Sequence, residues 1–305
     1  MISCTGSEDI YYTSGAYASN YDTLEHIGSG AFGCVKLSAR RSDGLLVVTK
    51  FIRKDRVLEG GWTNDKQYGR IPTEINLLLG LDHPNIIKAN VGRVLRLFFV
   101  WRSLFTEPAA RFLMGTCVEL DHHLPRMAQL HTQDSHQVIN FFQNDKYFQV
   151  IMEKHGSGMD LFEFIDREPD MDEALASYIF RQIVDAVAYL HELNILHRDI
   201  KDENILINHK FHCKLIDFGA ATFFDPDKLS TRFCGTLEYC SPEILSGHKY
   251  RGEEQEMWSL GILLFTLVFF DCPFRSAEQV LKGDFWFPRD VSEGALMLIS
   301  VMFML

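Results

Sequence analysis

The sequence predicts an α+β fold of two lobes, a β-rich N-terminal lobe carrying one long helix and an α-rich C-terminal lobe. Three observations predict it. Between Tyr21 and Lys54, strand-like runs alternate with a Gly-rich turn and the polar turn Arg41-Ser42-Asp43-Gly44, up to the Val-rich run Leu45 to Ile52, which is the pattern of an antiparallel meander. Pro72 opens the helical repeat Thr73-Glu74-Ile75-Asn76-Leu77-Leu78-Leu79, which closes at Gly80. After Lys154 the apolar spacing becomes helical over Asp160 to Arg167, Asp172 to Leu193 and Trp258 to Phe270. The expected organisation is a flank at 1–20, a first lobe at 21–154 interrupted at 89–137, and a second lobe at 155–305.

Composition narrows the partners. A formal net charge of -11 disfavours nucleic acid and anionic membranes and favours cationic partners such as basic peptides. Seven cysteines form an odd set without a Cys-x-x-Cys pair, which reads as free thiols in a reducing compartment. Met1 to Asn20 carry neither a basic start nor an apolar stretch, so no secretory signal is expected. The longest apolar run, Leu260 to Phe270, falls short of the ~20 residues that cross a bilayer and reads as a core helix. The expected location is cytoplasmic, extending to the nucleus.

Four ordered motifs carry chemistry. Gly28-Ser29-Gly30-Ala31-Phe32-Gly33-Cys34-Val35 is a G-x-G-x-x-G-x-V run whose side-chain-free positions let backbone amides approach phosphates. A dinucleotide fold needs a helix after such a run; here Cys34-Val35-Lys36-Leu37 continues as strand, which favours a lid over ATP. Val47-Val48-Thr49-Lys50 ends a strand with a lysine, and Glu74 lies on the helix that follows, placed to hold Lys50 toward phosphates. Two solvated surface charges are the plainer reading of that pair taken alone. His197-Arg198-Asp199-Ile200-Lys201-Asp202-Glu203-Asn204 sets a carboxylate, a cation and an amide within reach of one γ-phosphate. There Asp199 would orient the substrate hydroxyl, Lys201 would neutralise phosphoryl charge and Asn204 would hold Mg²⁺. Asp217-Phe218-Gly219, after the strand-like Cys213 to Ile216, supplies a second carboxylate for the metal.

With Ser241-Pro242-Glu243 standing where an Ala-Pro-Glu is usual, the chain from about Tyr21 to Ser300 resembles the eukaryotic protein kinase family. Lys201 is the Ser/Thr-specific form of the loop. Met152-Glu153-Lys154-His155-Gly156-Ser157-Gly158, Phe233 to Cys240 and Glu256-Met257-Trp258-Ser259-Leu260-Gly261 look like PAS-domain kinases in particular, a resemblance that implies nutrient or energy signalling. The resemblance implies ATP and Mg²⁺ as cofactors and protein substrates. It further implies an adenine slot of Ile27, Val35, Val48 and Leu206, gated by Met152, with backbone contacts at Glu153 and His155. Asp160 is implied on the ribose side, and Glu203 at basic side chains of the substrate near the acceptor Ser or Thr.

The chain departs from that family in places. The interruption holds Cys117, His122, His123, His131 and His136, whose spacing fits no structural zinc pattern. It is a surface loop or sequence that a correct transcript lacks, and its length favours the latter. The resemblance also implies that the second lobe, 155–305, is truncated at its C-terminus, lacking later helices and an arginine partner for Glu243 and leaving Leu296, Ile299 and Phe303 exposed. Arg232 stands where many kinases place a phosphorylated Thr, so Arg198 lacks its usual anion. Glu256 replaces an aspartate that braces the catalytic loop. The leading expectation is an active Ser/Thr kinase; the alternative is a catalytically silent nucleotide-binding or scaffolding fragment.

Overall fold

The computed structural model describes residues 15–30, 32–89, 141–169 and 171–304. The interruption beyond Ala89, its cysteine and histidines, Val138 and Ala31 of the Gly-rich run lie outside the described residues. The chain divides into two compact units, and among the described residues the first comprises 15–82, 86–89 and 141–157 and the second 83–85 and 158–304.

The first unit is built on a five-stranded antiparallel sheet. Helix α1 (Ala16–Asn20) leads into β1 (Tyr21–Gly30), β2 (Gly33–Arg40) and β3 (Leu46–Arg53), the meander expected from the turn residues. After the hairpin β4 (Trp62–Asp65) and β5 (Gly69–Pro72) comes α2 (Thr73–Gly80); β6 (Phe141–Gln143) and β7 (Tyr147–Glu153) then complete the sheet in the order β1-β2-β3-β7-β6. Alternation along β3 assigns its side chains: Val47, Thr49 and Phe51 face one side, Lys50 the other.

Tyr17 covers the Val47 and Phe51 side. Its ring stacks on Tyr21 at 5.6 Å and meets Phe51 edge-on at 5.4 Å, and it is 1% exposed. Burying a phenol requires a partner for its hydroxyl. Here the oxygen lies 2.9 Å from Ser38 Oγ, 3.0 Å from Thr23 Oγ1 and 3.4 Å from Thr49 Oγ1. Tyr17 belongs to the first unit's core, so the flank drawn at 1–20 extends too far.

The hairpin β4–β5 was not evident from the sequence. Asp65 forms its turn by accepting the Gln67 and Tyr68 amides, Gly69 takes φ +73°, and Arg70 lies over the Trp62 ring. It ends at Pro72, where the helix begins with the bounds expected, eight residues and about 12 Å long.

The second unit is mainly helical. Its helices are α3 (Leu161–Arg167), α4 (Glu173–Glu192), α5 (Pro242–Leu245), α6 (Gly252–Phe269), α7 (Ala277–Lys282) and α8 (Glu293–Met302). Short antiparallel pairs join β8 (Ile195–Leu196) to β11 (Thr222–Phe223) and β9 (Ile205–Ile207) to β10 (Cys213–Leu215). Asp172 caps α4 by accepting the Leu175 amide, and Ile179, Phe180, Ile183 and Leu190 form its buried stripe. Helix α6 begins six residues ahead of the expected Trp258 and is buried almost all round. No helix among the described residues is long and apolar enough to cross a membrane.

Helix α8 overturns the expected exposure at the C-terminal end. It packs on α6, where Ile299 is fully buried and Leu296 and Phe303 are half-buried. The Phe303 ring lies 4.9 Å from Trp258 and 5.2 Å from Phe274, so aromatic packing within the unit covers the apolar face.

Candidate active site

In the first unit the Gly-rich turn joins β1 to β2. A Cβ on Gly28 or Gly30 would meet nothing within 4 Å, whereas one on Gly33 would strike the Phe51 carbonyl of β3. Gly33 is therefore required by strand packing alone, whatever the turn binds. Ser29 Oγ lies 3.1 Å from His26 Nε2, and the Phe32 carbonyl accepts the Arg53 amide.

Lys50 points off β3 to Glu74 in the first turn of α2, and the two side chains form an ion pair at 12% and 7% exposure. The register that delivers it sets Lys50 opposite Val35 and Val150, and Val48 opposite Met152. Val35, Val48 and Met152 are half-buried, and Ile27 is exposed. Glu153 ties down the segment at Lys88: its carboxylate accepts the Lys88 amide at 2.9 Å and its own N–H donates to the Lys88 carbonyl. His155 is buried.

In the second unit the loop from His197 to Asn204 is fixed at every turn. His197 donates from Nε2 to the Ile216 carbonyl at 2.9 Å and sets its ring edge-on to Phe218 at 4.9 Å. Arg198 adopts φ +65°, an uncommon left-handed state that its surroundings impose. Its amide donates to Glu256 Oε1 at 2.6 Å and its Nε to the Ala220 carbonyl at 2.5 Å. Gly235, at φ +129°, passes so close to the Arg198 carbonyl that any Cβ would collide with it.

Asp199 accepts from Thr236 Oγ1 on Oδ1 at 2.7 Å and from Asn204 Nδ2 on Oδ2 at 2.8 Å. One donor on each oxygen sets the plane of the carboxylate and leaves lone pairs for a substrate hydroxyl. Asn204 Nδ2 also donates to the Asp199 carbonyl at 2.8 Å, so both amide hydrogens are spent and Oδ1 remains to coordinate. Asp217 is exposed at φ +61°, its Oδ1 accepting the Gly219 amide at 3.2 Å, and the Ile216 amide donates to the Asn204 carbonyl. An amide oxygen and a carboxylate are the hard donors that Mg²⁺ prefers, so these residues fit that ion.

Lys201 Nζ lies 2.6 Å from Glu203 Oε2 and 3.9 Å from Asp199 Oδ2. Burial, the largest single influence, pushes its pKa down; the hydrogen bond to Glu203 and the charges of Asp199 and Glu203 outweigh it, and the net shift is upward. Burial pushes the Asp160 carboxyl up; the hydrogen bond from the Glu163 amide opposes that, the negative charges of Glu163 and Glu203 add to it, and the net shift is upward. Asp160 Oδ1 accepts the Glu163 amide at 2.7 Å and caps α3, a structural task beside its expected ribose contact. Leu206, on β9, is half-buried and bridges Asp160.

The protein kinase domain family matches residues 123–303, more than half of the chain. The chain belongs to the protein kinase domain family. This kinase domain is 42% identical over 293 residues to the PAS domain-containing serine/threonine-protein kinase of Mus musculus, covering 96% of the chain and 18% of that relative. It is 32% identical to the serine/threonine-protein kinase PSK1 of Saccharomyces cerevisiae over 92% of the chain and 18% of the relative. To the human NUAK family SNF1-like kinase 1 it is 30% identical, over 90% of the chain and 34% of the relative. The chain thus spans less than a fifth of the first two relatives.

The motifs left several of the kinase domain's residues unread. Thr236 and His191 make direct contacts to Asp199 and Glu256, and Tyr239 donates to Asp202 Oδ1 at 3.1 Å. Their spacing from the loop, 37 residues for Thr236 to Asp199, is a signal only once the fold is known.

Proposed function

We propose that this domain transfers the γ-phosphate of ATP to Ser or Thr hydroxyls of protein substrates. The observation that carries the reading is the Asp199 carboxylate held by Thr236 and Asn204, with Lys201 beside it. In that reaction a substrate O–H donates to Asp199, the hydroxyl oxygen bonds to the γ-phosphorus, and the bridging P–O bond breaks to release ADP. Lys201 neutralises charge on the transferring oxygens, and Lys50, oriented by Glu74, anchors the nucleotide. Magnesium held by Asn204 Oδ1 and Asp217 would draw charge from the phosphate oxygens.

Fixing Asp199 by one hydrogen bond per oxygen suits a group that orients a hydroxyl as the transition state forms. The substrates proposed are peptides with Arg or Lys near the acceptor, on the net charge of -11 and on Glu203, whose carboxylate is paired with Lys201 until a guanidinium competes for it. Resemblance to PAS-domain kinases supports a role in nutrient or energy signalling, and a cytoplasmic or nuclear site of action.

The test uses the purified chain, MgATP and an Arg-bearing Ser peptide. Wild type is expected to phosphorylate the peptide, and Asp199→Asn to abolish transfer while still gaining thermal stability from MgATP, about 2.7 kcal/mol at a hundredfold excess over Kd. Transfer by Asp199→Asn refutes the assignment. A stabilised but inactive wild type supports the silent, scaffolding alternative.

A further inference from the structure

We propose that Gln255 is a positioning residue for phosphotransfer, fixing the backbone on both sides of Cys240 and so holding the Tyr239 hydroxyl on Asp202 of the catalytic loop. The inference rests on the kinase reading for its rate effect and on geometry alone for the clamp. Gln255 lies in Gly252-Glu253-Glu254-Gln255-Glu256, an acidic first turn that reads as solvated, yet it is 8% exposed.

Its amide is fully engaged. Nε2 donates to the Tyr239 carbonyl at 2.8 Å and to Ser259 Oγ at 3.1 Å, while Oε1 accepts the Ser241 amide at 2.9 Å. A flipped amide would oppose two N–H groups at Ser241, so one orientation is imposed. Ser259, one turn further along α6, donates a second bond to the Tyr239 carbonyl at 3.2 Å. Tyr239 is thereby gripped by the helix at its carbonyl and by the catalytic loop at its hydroxyl.

The far end of the link lies close to the chemistry. Asp202 is 7% exposed, and the oxygen that accepts Tyr239 also accepts the Glu203 amide at 3.0 Å. It opens the turn Asp202–Asn204, whose last residue spends both amide hydrogens on Asp199. Thr236, three residues before Tyr239, reaches Asp199 directly. The neighbour Glu256 holds Arg198, so two adjacent residues of one helix secure the catalytic loop and the segment that docks on it. An apolar side chain at 255 would strand the buried Ser241 N–H and free one grip on Tyr239, a cost that the segment can relieve only by shifting.

The experiment compares Gln255→Leu, Tyr239→Phe and the double variant in the full chain. Gln255→Leu is expected to lower kcat/KM for the peptide about tenfold, the worth of roughly one buried hydrogen bond, with MgATP Kd within about twofold. Tyr239→Phe should lose a similar amount, and the double variant no more than the larger single loss, because Gln255 acts through Tyr239. Hydrogen exchange at the Ser241 amide should quicken in Gln255→Leu. Unchanged peptide kinetics, additive losses, or wild-type exchange at Ser241 would overturn the proposal. Should Gln255→Leu not fold, Ser259→Ala, which removes one donor to the Tyr239 carbonyl, serves instead with an expected loss of about threefold. An inactive wild type refutes the kinase reading by itself, and Ser241 exchange then decides the clamp.

Discussion

Glu256 accepts the Arg198 amide on one carboxylate oxygen at 2.6 Å and meets His191 Nε2 on the other at 2.5 Å, from a position 2% exposed on α6. The extra methylene that distinguishes it from the usual aspartate is therefore used: the longer side chain still reaches the loop. Glu256→Ala should cost about 2–3 kcal/mol in urea unfolding, because it leaves a buried N–H without an acceptor. It should also lower kcat by two orders of magnitude or more by releasing Arg198 from φ +65°. A variant with wild-type stability and rate would show that the bond braces nothing.

The Lys50–Glu74 pair allows stability and function to be separated. Either Lys50→Met or Glu74→Met leaves one charge of a largely buried pair behind and is expected to cost about 3–5 kcal/mol. The double Met variant should recover most of that stability, since apolar replacement of a buried pair is near neutral. It should nevertheless transfer no phosphate. Denaturant melts beside a peptide assay on the three variants check both halves.

Four hydrogen bonds tie down the segment from Pro226 to Arg232. Ser230 and Tyr250 exchange backbone hydrogen bonds, the Tyr250 hydroxyl donates to the Arg232 carbonyl at 2.8 Å, and Arg251 donates to the Pro226 carbonyl at 2.9 Å. Arg198 is engaged at Ala220. Phosphatase treatment is expected to leave the peptide rate within about twofold, as is Thr231→Ala, whereas Tyr250→Phe should lower it several-fold by freeing one bond. A large loss on dephosphorylation, reproduced by Thr231→Ala, would establish a phosphate switch instead.

Asp185, half-buried on α4, has its pKa raised by burial, with Arg181 only partly opposing the shift. A carboxyl whose folded pKa exceeds its unfolded value stabilises the protein below the unfolded value and loses that contribution as pH rises through the folded one. Asp185→Asn should accordingly raise Tm at pH 7 and give no gain near pH 3.5. Melting curves across that range check the sign.

What could be read in advance was whatever local pattern determines. Turn residues and alternation fix the meander, helical periodicity fixes α4, and the His197 to Asn204 run presents its own chemistry. What could not be read depends on distant partners. Gln255 sits among glutamates and is polar; only the Tyr239 and Ser241 backbone groups, more than a dozen residues away, make it an interior residue. The β4–β5 hairpin hid because Asp65 and Gly69 form a turn between strands of only four residues each. The cover over Phe303 comes from rings at Trp258 and Phe274, which no periodicity within α8 could reveal.

Tyr17 redraws where the domain may be cut. An excision at Tyr21, the place the motifs suggest, would discard the ring that fills the side of the sheet opposite Lys50. It would also strip the phenol from Ser38 and Thr49, two hydroxyls with no solvent exposure of their own. Thr49 is the residue before Lys50, so the wound would open one peptide unit from the ammonium that Glu74 steadies. The five residues of α1 thus act as a splint, and a truncated fragment lacking them should melt early and grip nucleotide poorly even with every kinase motif intact.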